Sequence, residues 1–269
     1  MCRITVFSTT NIAQPMRKLF MDRILLTGVA DYNFDGVGMT DGWKIMKSQF
    51  SYLHNGQLWL DRLDPEAIWM GHVRAASKAT EVSTRASHPF AFNVAEAGKP
   101  ARFLYCMHNG FVKGMPAPAQ AEPQVDSYQA FKMLAELVRE SGIIDVATIN
   151  KWTAKFGEGS QWTFGLMLDG DAYIVRGVRE MHWMSINNGV ITNTSLPVLQ
   201  NFKEWVAMYW PKGFDLGKIQ SIGEYQLCHI RRESRTVTGT SIAKPAAPPV
   251  LDNVYSVWDP QAGEKFIKL

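Results

Sequence analysis

An α+β fold with mainly antiparallel sheets is what this sequence predicts, and three observations carry it. Strand-like runs come in pairs joined by turn signals, helical runs interrupt those pairs in groups, and no regular β-α-β alternation links them. The 269 residues, 46% hydrophobic and 20% charged, suit one large domain or two small ones with a substantial core. Nine Trp and fourteen Phe require large buried aromatic surfaces, as in a folded enzyme or binding domain.

The elements follow in order. Residues 2–8 set Ile4 and Val6 against Arg3, Thr5 and Phe7, which predicts a strand covered on both faces. Residues 15–28 place Met16, Leu19, Phe20, Ile24 and Leu25 at helical spacing, with Pro15 at the first turn and Gly28 at the end. Strands are predicted at 37–47, 67–74 and 102–107, with a long loop from Lys78 to Pro100 and a Pro-rich loop from Gly114 to Pro123. A helix at 127–141 lines Tyr128, Phe131, Leu134, Leu137 and Val138 on one face, with Asp126 as N-cap, Gln129 completing a capping box and Gly142 at the C-terminus. A second helix covers 146–156 with Val146, Ile149, Trp152 and Phe156. Strands at 162–168 and 172–176 flank Asp169-Gly170-Asp171, and a hairpin turns at Asn187-Asn188-Gly189 between 182–186 and 190–194. A helix at 197–209 and strands near 225–231 and 236–241 complete the body. Residues 243–250 read as a Pro/Ala-rich linker to a short terminal segment, which makes 2–242 one domain and 243–269 a separate tail.

Composition excludes several function classes. A net charge of +3 from 28 basic and 25 acidic residues leaves no nucleic-acid or membrane footprint. The Arg231-Arg232…Arg235 cluster is interrupted by Glu233 and reads as a solvated strand end. Three widely spaced cysteines, Cys2, Cys106 and Cys228, form neither a CxxC pair nor a disulfide framework, which favours a reducing compartment. The N-terminal residues lack the apolar stretch of a signal peptide, and no run of about 18 apolar residues occurs, so a cytoplasmic protein is expected. His72, His88 and His108 lie 16 and 20 residues apart, without the close spacing of zinc ligands; they read as structural, and neither a metal nor a cofactor is expected. Cys106 and Cys228 read as core residues.

Cys2 stands directly behind Met1. By position alone it reads as a small apolar residue in a first strand. If Met1 is removed, however, one residue carries both a thiol and a free α-amine, and an amine of pKa roughly 7.7–8.0 can take the proton of the attacking sulfur. Four further features give that reading its weight: Gly71-His72-Val73-Arg74, His108-Asn109-Gly110, Asp126-Ser127-Tyr128 and Cys2-Arg3-Ile4 itself. In this order they resemble the class II glutamine amidotransferases of the N-terminal-nucleophile hydrolase superfamily. Asp35-Gly36-Val37-Gly38 and His88-Pro89-Phe90 add two lesser echoes. Arg3 stands where the family usually has glycine, Ala75-Ala76-Ser77 where it has an aromatic residue, Ser and Thr, and Tyr128 where it has glutamate.

The resemblance implies a four-layer αββα sandwich, two mainly antiparallel sheets face to face between helices. It also implies a cofactor-independent reaction with Cys2 as nucleophile. Asn109 and Gly110 would donate to the oxyanion, and Arg74, Asp126, Ser77 and His108 would bind the substrate. Glutamine offers an α-carboxylate for the Arg74 fork and an α-ammonium for Asp126, which together place its γ-amide at the sulfur. Ammonia would leave from a γ-glutamyl thioester that water then opens. The chain carries no P-loop, so a synthetase that uses the ammonia would be a separate protein. A hydrolase of another γ-glutamyl amide or peptide is the alternative, decided by the leaving-group side and the 78–100 and 114–123 loops. An inactive binding module, with Met1 retained, is a third.

Overall fold

The computed structural model describes residues 2–9, 12–30, 35–49, 59–76, 81–234, 237–245, 254–259 and 263–268. Strand β1, Arg3–Ser8, is buried on both faces, as its alternation predicts. It pairs antiparallel with β4 (Trp69–Arg74) on one side and with β10 (Gly189–Asn193) on the other. Around this centre β2 (Gly36–Thr40), β3 (Ile45–Ser48), β9 (His182–Ile186) and β11 (Gln220–Ser221) complete a sheet in the order β11-β9-β10-β1-β4-β2-β3. A second antiparallel sheet runs β13-β12-β8-β7-β6-β5, from β5 (Phe90–Asn93), β6 (Phe103–Phe111), β7 (Gln161–Leu168), β8 (Asp171–Arg176), β12 (Gln226–Ile230) and β13 (Val237–Ser241).

Helices cover the outer faces. Helices α1 (Gln14–Ala30) and α4 (Leu196–Tyr209) lie on the first sheet, where Phe20 meets Phe202 edge to face at 5.2 Å. Helices α2 (Asp126–Ser141) and α3 (Val146–Thr153) lie on the second, joined by the Trp152 indole N–H on the Ala130 carbonyl at 2.6 Å. The strand period of two sorts the side chains between these layers. Ile4 and Val6 of β1, Met70 of β4, Tyr105 and Met107 of β6 and Ile174 of β8 form the core between the sheets. Phe7, Trp69 and Val73 face α1 and α4, and Leu104, Cys106, Phe164 and Val175 face α2 and α3. The architecture is therefore the four-layer αββα sandwich, and each of these buried large side chains stabilises it by roughly 1.5–3 kcal/mol.

Several boundaries differ from the sequence reading. The strand predicted at 37–47 is the hairpin β2–β3, turned at Asp41-Gly42, where the Asp41 carboxylate accepts the amides of Trp43 and Lys44, both at 2.9 Å. The loop predicted from Lys78 to Pro100 contains β5, and β6 runs on past Met107 to Phe111 because β7 pairs with it all the way to Gln161. Helix α3 ends at Thr153, and its N-cap is Asp145, which accepts from the Thr148 amide at 2.7 Å. Asp126 is not a capping side chain: Val125 occupies the N-cap, and Gln129 bonds Glu122 instead of closing a capping box. Within the tail, β14 (Val254–Asp259) and β15 (Gly263–Lys268) pair as their own two-stranded sheet, and residues 246–253 of the linker lie outside the described part. No helix among the described residues is long and apolar enough to cross a membrane.

Gly165 stands where the side chains of the facing sheet leave no room for a Cβ. A Cβ there would stand 2.8 Å from the Met70 sulfur and 3.0 Å from a methyl carbon of Ile4. Gly165→Val is therefore expected to lower unfolding free energy by about 1–3 kcal/mol through overpacking. Urea unfolding of the variant measures it, and an unchanged midpoint would contradict this account of the inter-sheet distance.

Candidate active site

The strand faces bring the sequence motifs to one mouth of the inter-sheet layer. Cys2 immediately precedes β1 on the pleat shared by Ile4 and Val6, and Arg74 ends β4 on the pleat shared by Met70 and His72. Asn109 shares its pleat with Tyr105 and Met107 near the end of β6 and is buried. A cavity of about 180 Å³ opens beside it, with Cys2, Arg74, His108, Gly110 and Asp126 in its wall and Asn109 outside it. Ala75, Ala76, His88, Phe111, Val125 and Ser127 complete the lining. Ser77 lies outside the described residues.

Each group is held by its neighbours. Threonine hydroxyls of the β10 end fasten the start of β1: Thr194 accepts the Ile4 amide at 3.0 Å and Thr192 the Val6 amide at 3.1 Å. The Cys2 thiol donates to the Ala75 carbonyl at 3.5 Å. The Asp35 carboxylate accepts the Ala76 amide at 2.7 Å, which fixes the chain just beyond Arg74. Arg74 is 3% exposed; Nη2 donates to the Glu81 carbonyl at 2.6 Å, while Nη1 has no partner among the described residues. Asp126 opens α2, and one of its carboxylate oxygens accepts the Val112 amide at 2.5 Å, tying the helix start to the end of β6. Gly110 adopts φ +127°, and a Cβ there would fall 1.9 Å from the Gln161 carbonyl oxygen, so strand contact as well as the cavity requires glycine. Gly38 is similarly confined, with the His88 carbonyl 2.0 Å from where its Cβ would be.

Two expectations from the sequence can now be refined. Within the 78–100 segment, the Glu81 carboxylate accepts the amide of Gln124, one residue beyond the 114–123 loop, at 3.0 Å. Tyr128 packs on Phe90 and Phe92 of β5 rather than lining the cavity, which explains an aromatic residue there.

The chain as a whole was then compared with known proteins. No protein-family model matches it, and no curated protein matches its sequence. Among solved structures, glutamine phosphoribosylpyrophosphate amidotransferase from B. subtilis, complexed with ADP and GMP, aligns over 90% of this chain and 49% of its own, at 13% identity and a TM-score of 0.60. A structure described as the allosteric regulatory enzyme of purine biosynthesis aligns over the same shares, at 12% identity and a TM-score of 0.60. The chain shares the fold of these two structures. This chain spans about half the length of those two neighbours.

The fold also brings three histidines together, which their spacing in the sequence does not indicate. His72 and His88 have ring centroids 4.4 Å apart, and His88 and His108 6.5 Å apart. His72 Nε2 donates to the His108 carbonyl at 3.0 Å, which assigns its proton to that nitrogen, and His88 Nε2 bonds the Ser127 hydroxyl at 3.2 Å. The echo at His88-Pro89-Phe90 was the available signal for His88. Among the described residues no group of three or more His, Cys, Asp or Glu side chains could hold a metal ion. Burial pushes the Cys2 thiol up, opposed by its bond to Ala75 and by the Arg74 charge. Burial also pushes up Cys106, and takes Cys228 to about 11, as suits inert core thiols.

All three imidazoles are held neutral. Burial lowers His72 to about 3, with the Arg74 charge adding to the effect, and burial lowers His88 and His108 in the same direction. The unfolded chain binds these protons near pH 6.5 and the native protein does not. Stability is thus intact above pH about 6.5 and falls as pH drops, down to the region near pH 3 where His72 itself ionises. Each histidine contributes a slope of at most about 1.4 kcal/mol per pH unit. Urea midpoints between pH 6.5 and 5 measure this, and a flat profile would refute buried neutral imidazoles.

Proposed function

We propose that the protein is a glutamine amidohydrolase of the amidotransferase type, with Cys2 as nucleophile once Met1 is removed. The observation that carries the reading is the wall of a single cavity. Cys2, Arg74, whose Nη1 has no hydrogen-bond partner among the described residues, and Asp126, with one carboxylate oxygen engaged by the backbone, line the same space. A free α-amino acid has the matching charges, a carboxylate for Arg74 and an ammonium for Asp126. Arginine suits the first role because two parallel N–H groups meet a carboxylate in one plane. The similarity of the fold to amidotransferase structures supports the same reading.

In the proposed reaction the Cys2 sulfur attacks the γ-amide carbon and the α-amine takes its proton. The Asn109 side-chain amide and the Gly110 backbone N–H donate to the oxyanion, where one such donor is typically worth about 10²–10³ in turnover. The amine returns its proton to departing ammonia, and water, activated by the same amine, hydrolyses the thioester to glutamate. His108 lines the substrate space with Ser127, and Ser77 remains a candidate contact. A separate synthetase would receive the ammonia.

Intact mass of the purified protein is expected to show loss of Met1. A glutamine-like diazoketone is expected to label Cys2, and excess glutamine to suppress the labelling. Cys2→Ala should release no glutamate, and Arg74→Lys should raise KM for glutamine roughly 10–100-fold, in line with a lost charge-assisted bond. Glutamate release that survives Cys2→Ala would end this reading.

A further inference from the structure

We propose that His72 is a positioning residue for the oxyanion-binding segment: its ring N–H, anchored in the strand that carries Arg74, holds the His108 carbonyl and thereby the Asn109 and Gly110 donors. The proposal deepens the function proposed above and rests on its assignment of that segment.

The contact is a bridge between sheets. Strand β4 belongs to one sheet and β6 to the other, so no backbone ladder joins them. The bond from His72 Nε2 to the His108 oxygen, at 3.0 Å, crosses that gap one residue before Asn109 and two residues before Arg74 on its own strand. Strand β6 needs such support at this point. Its ladder with β5 stops at Phe90 opposite Cys106, and the continuing register would place His88 opposite His108. Pro89 has no N–H, and β5 does not extend to residue 88, so among the described strands only β7 flanks β6 beyond Cys106. Directly beyond comes Gly110 at φ +127°, where the backbone departs from ordinary strand geometry.

The ring itself cannot swing away. His72 is fully buried and tilted against His88, and the ordinary alternative for a strand-end histidine, a solvated ring, is closed to it. Being neutral, it has a proton to donate at Nε2 but adds no second cation beside Arg74. The bridge therefore sets the separation between the group that grips the α-carboxylate and the donors that meet the γ-carbonyl. Glutamine has a fixed reach between those two ends, and a misplacement of about 1 Å can cost about 10²-fold.

The test compares His72→Phe, which keeps a ring and loses the donor, with His72→Gln, which keeps an N–H at similar reach. His72→Phe should lower kcat roughly 10–100-fold while KM and inhibition by glutamate stay within about twofold, since glutamate uses only the charge grip. Inhibition by the γ-aldehyde analogue of glutamate, which would form a tetrahedral adduct on Cys2, should weaken by the same factor as kcat. Hydrogen exchange of the amides at 109–112 should quicken in His72→Phe, and His72→Gln should restore both kcat and exchange. Unchanged kcat and exchange in His72→Phe, or a glutamine variant no better than phenylalanine, would overturn the proposal. If the wild-type protein leaves glutamine untouched, the functional reading fails instead, and the exchange comparison alone decides whether His72 is a bridge.

Discussion

Strand β1 lies between β10 and β4 with both faces dry, and the position of Cys2 follows from that burial. Ile4 and Val6 are fixed in the inter-sheet core and Phe7 in the helix-facing core, so the strand cannot slip by one residue without reversing every side chain. Thr192 and Thr194 add side-chain acceptors for two of its amides. Cys2 stands one residue before this central strand, next to the amides that those threonines hold. The other motifs reach the same mouth for related reasons, since Arg74 ends a strand adjacent to β1 and Asn109 lies toward the end of a strand in the facing sheet.

The charge pattern of the cavity is consistent with this placement. A guanidinium nitrogen that is buried and unpaired is costly, because its solvation is lost without a compensating acceptor. The surroundings limit that cost without removing it: Glu81 contributes a backbone carbonyl to Arg74, and the nearby imidazoles stay uncharged. Arg74 thus keeps one nitrogen without an acceptor among the described residues, and Asp126 stands in the same cavity wall. Binding a carboxylate would recover the desolvation already incurred in folding, so ligand affinity and native stability draw on the same residue.

Much of this was legible in the sequence, and the omissions have definite causes. Alternation in residues 2–8 and the helical periodicity of 127–141 identified elements whose burial is one-sided or two-sided in a simple way. The hairpin at 37–47 was read as a single strand because Asp41-Gly42 is a short turn inside an apolar stretch. Strand β6 runs past the predicted end because His108, Asn109 and Gly110 break the apolar pattern while β7 continues to pair with them. Asp126 looked like a cap since aspartate before a helix usually is one; the Val112 amide, 14 residues earlier in the chain, takes that oxygen instead. Spacing along the chain also hid the histidine cluster. Residues 72, 88 and 108 come from two sheets and a connecting loop, and only the sandwich brings them together.

The three cysteines show how environment separates a candidate nucleophile from core sulfur, and they also bear on how the proposed attack would be activated. Cys106 and Cys228 are buried, with their thiols pushed up by desolvation. Cys2 is partly exposed and has Arg74 nearby, yet burial still raises its pKa. A standing thiolate is therefore not what this cavity favours. Substrate would weaken the case further, because its carboxylate would neutralise the very guanidinium that lowers the thiol. The proton must then leave during the attack, which calls for a base in contact with the sulfur. The neighbouring imidazoles are poor bases, since burial and the Arg74 charge depress them. An α-amine on the same residue needs no burial-compatible partner and has a pKa of roughly 7.7–8.0, close to working pH. In the proposed reaction that base would be the α-amine of Cys2, with the imidazoles left to hold the framework in place.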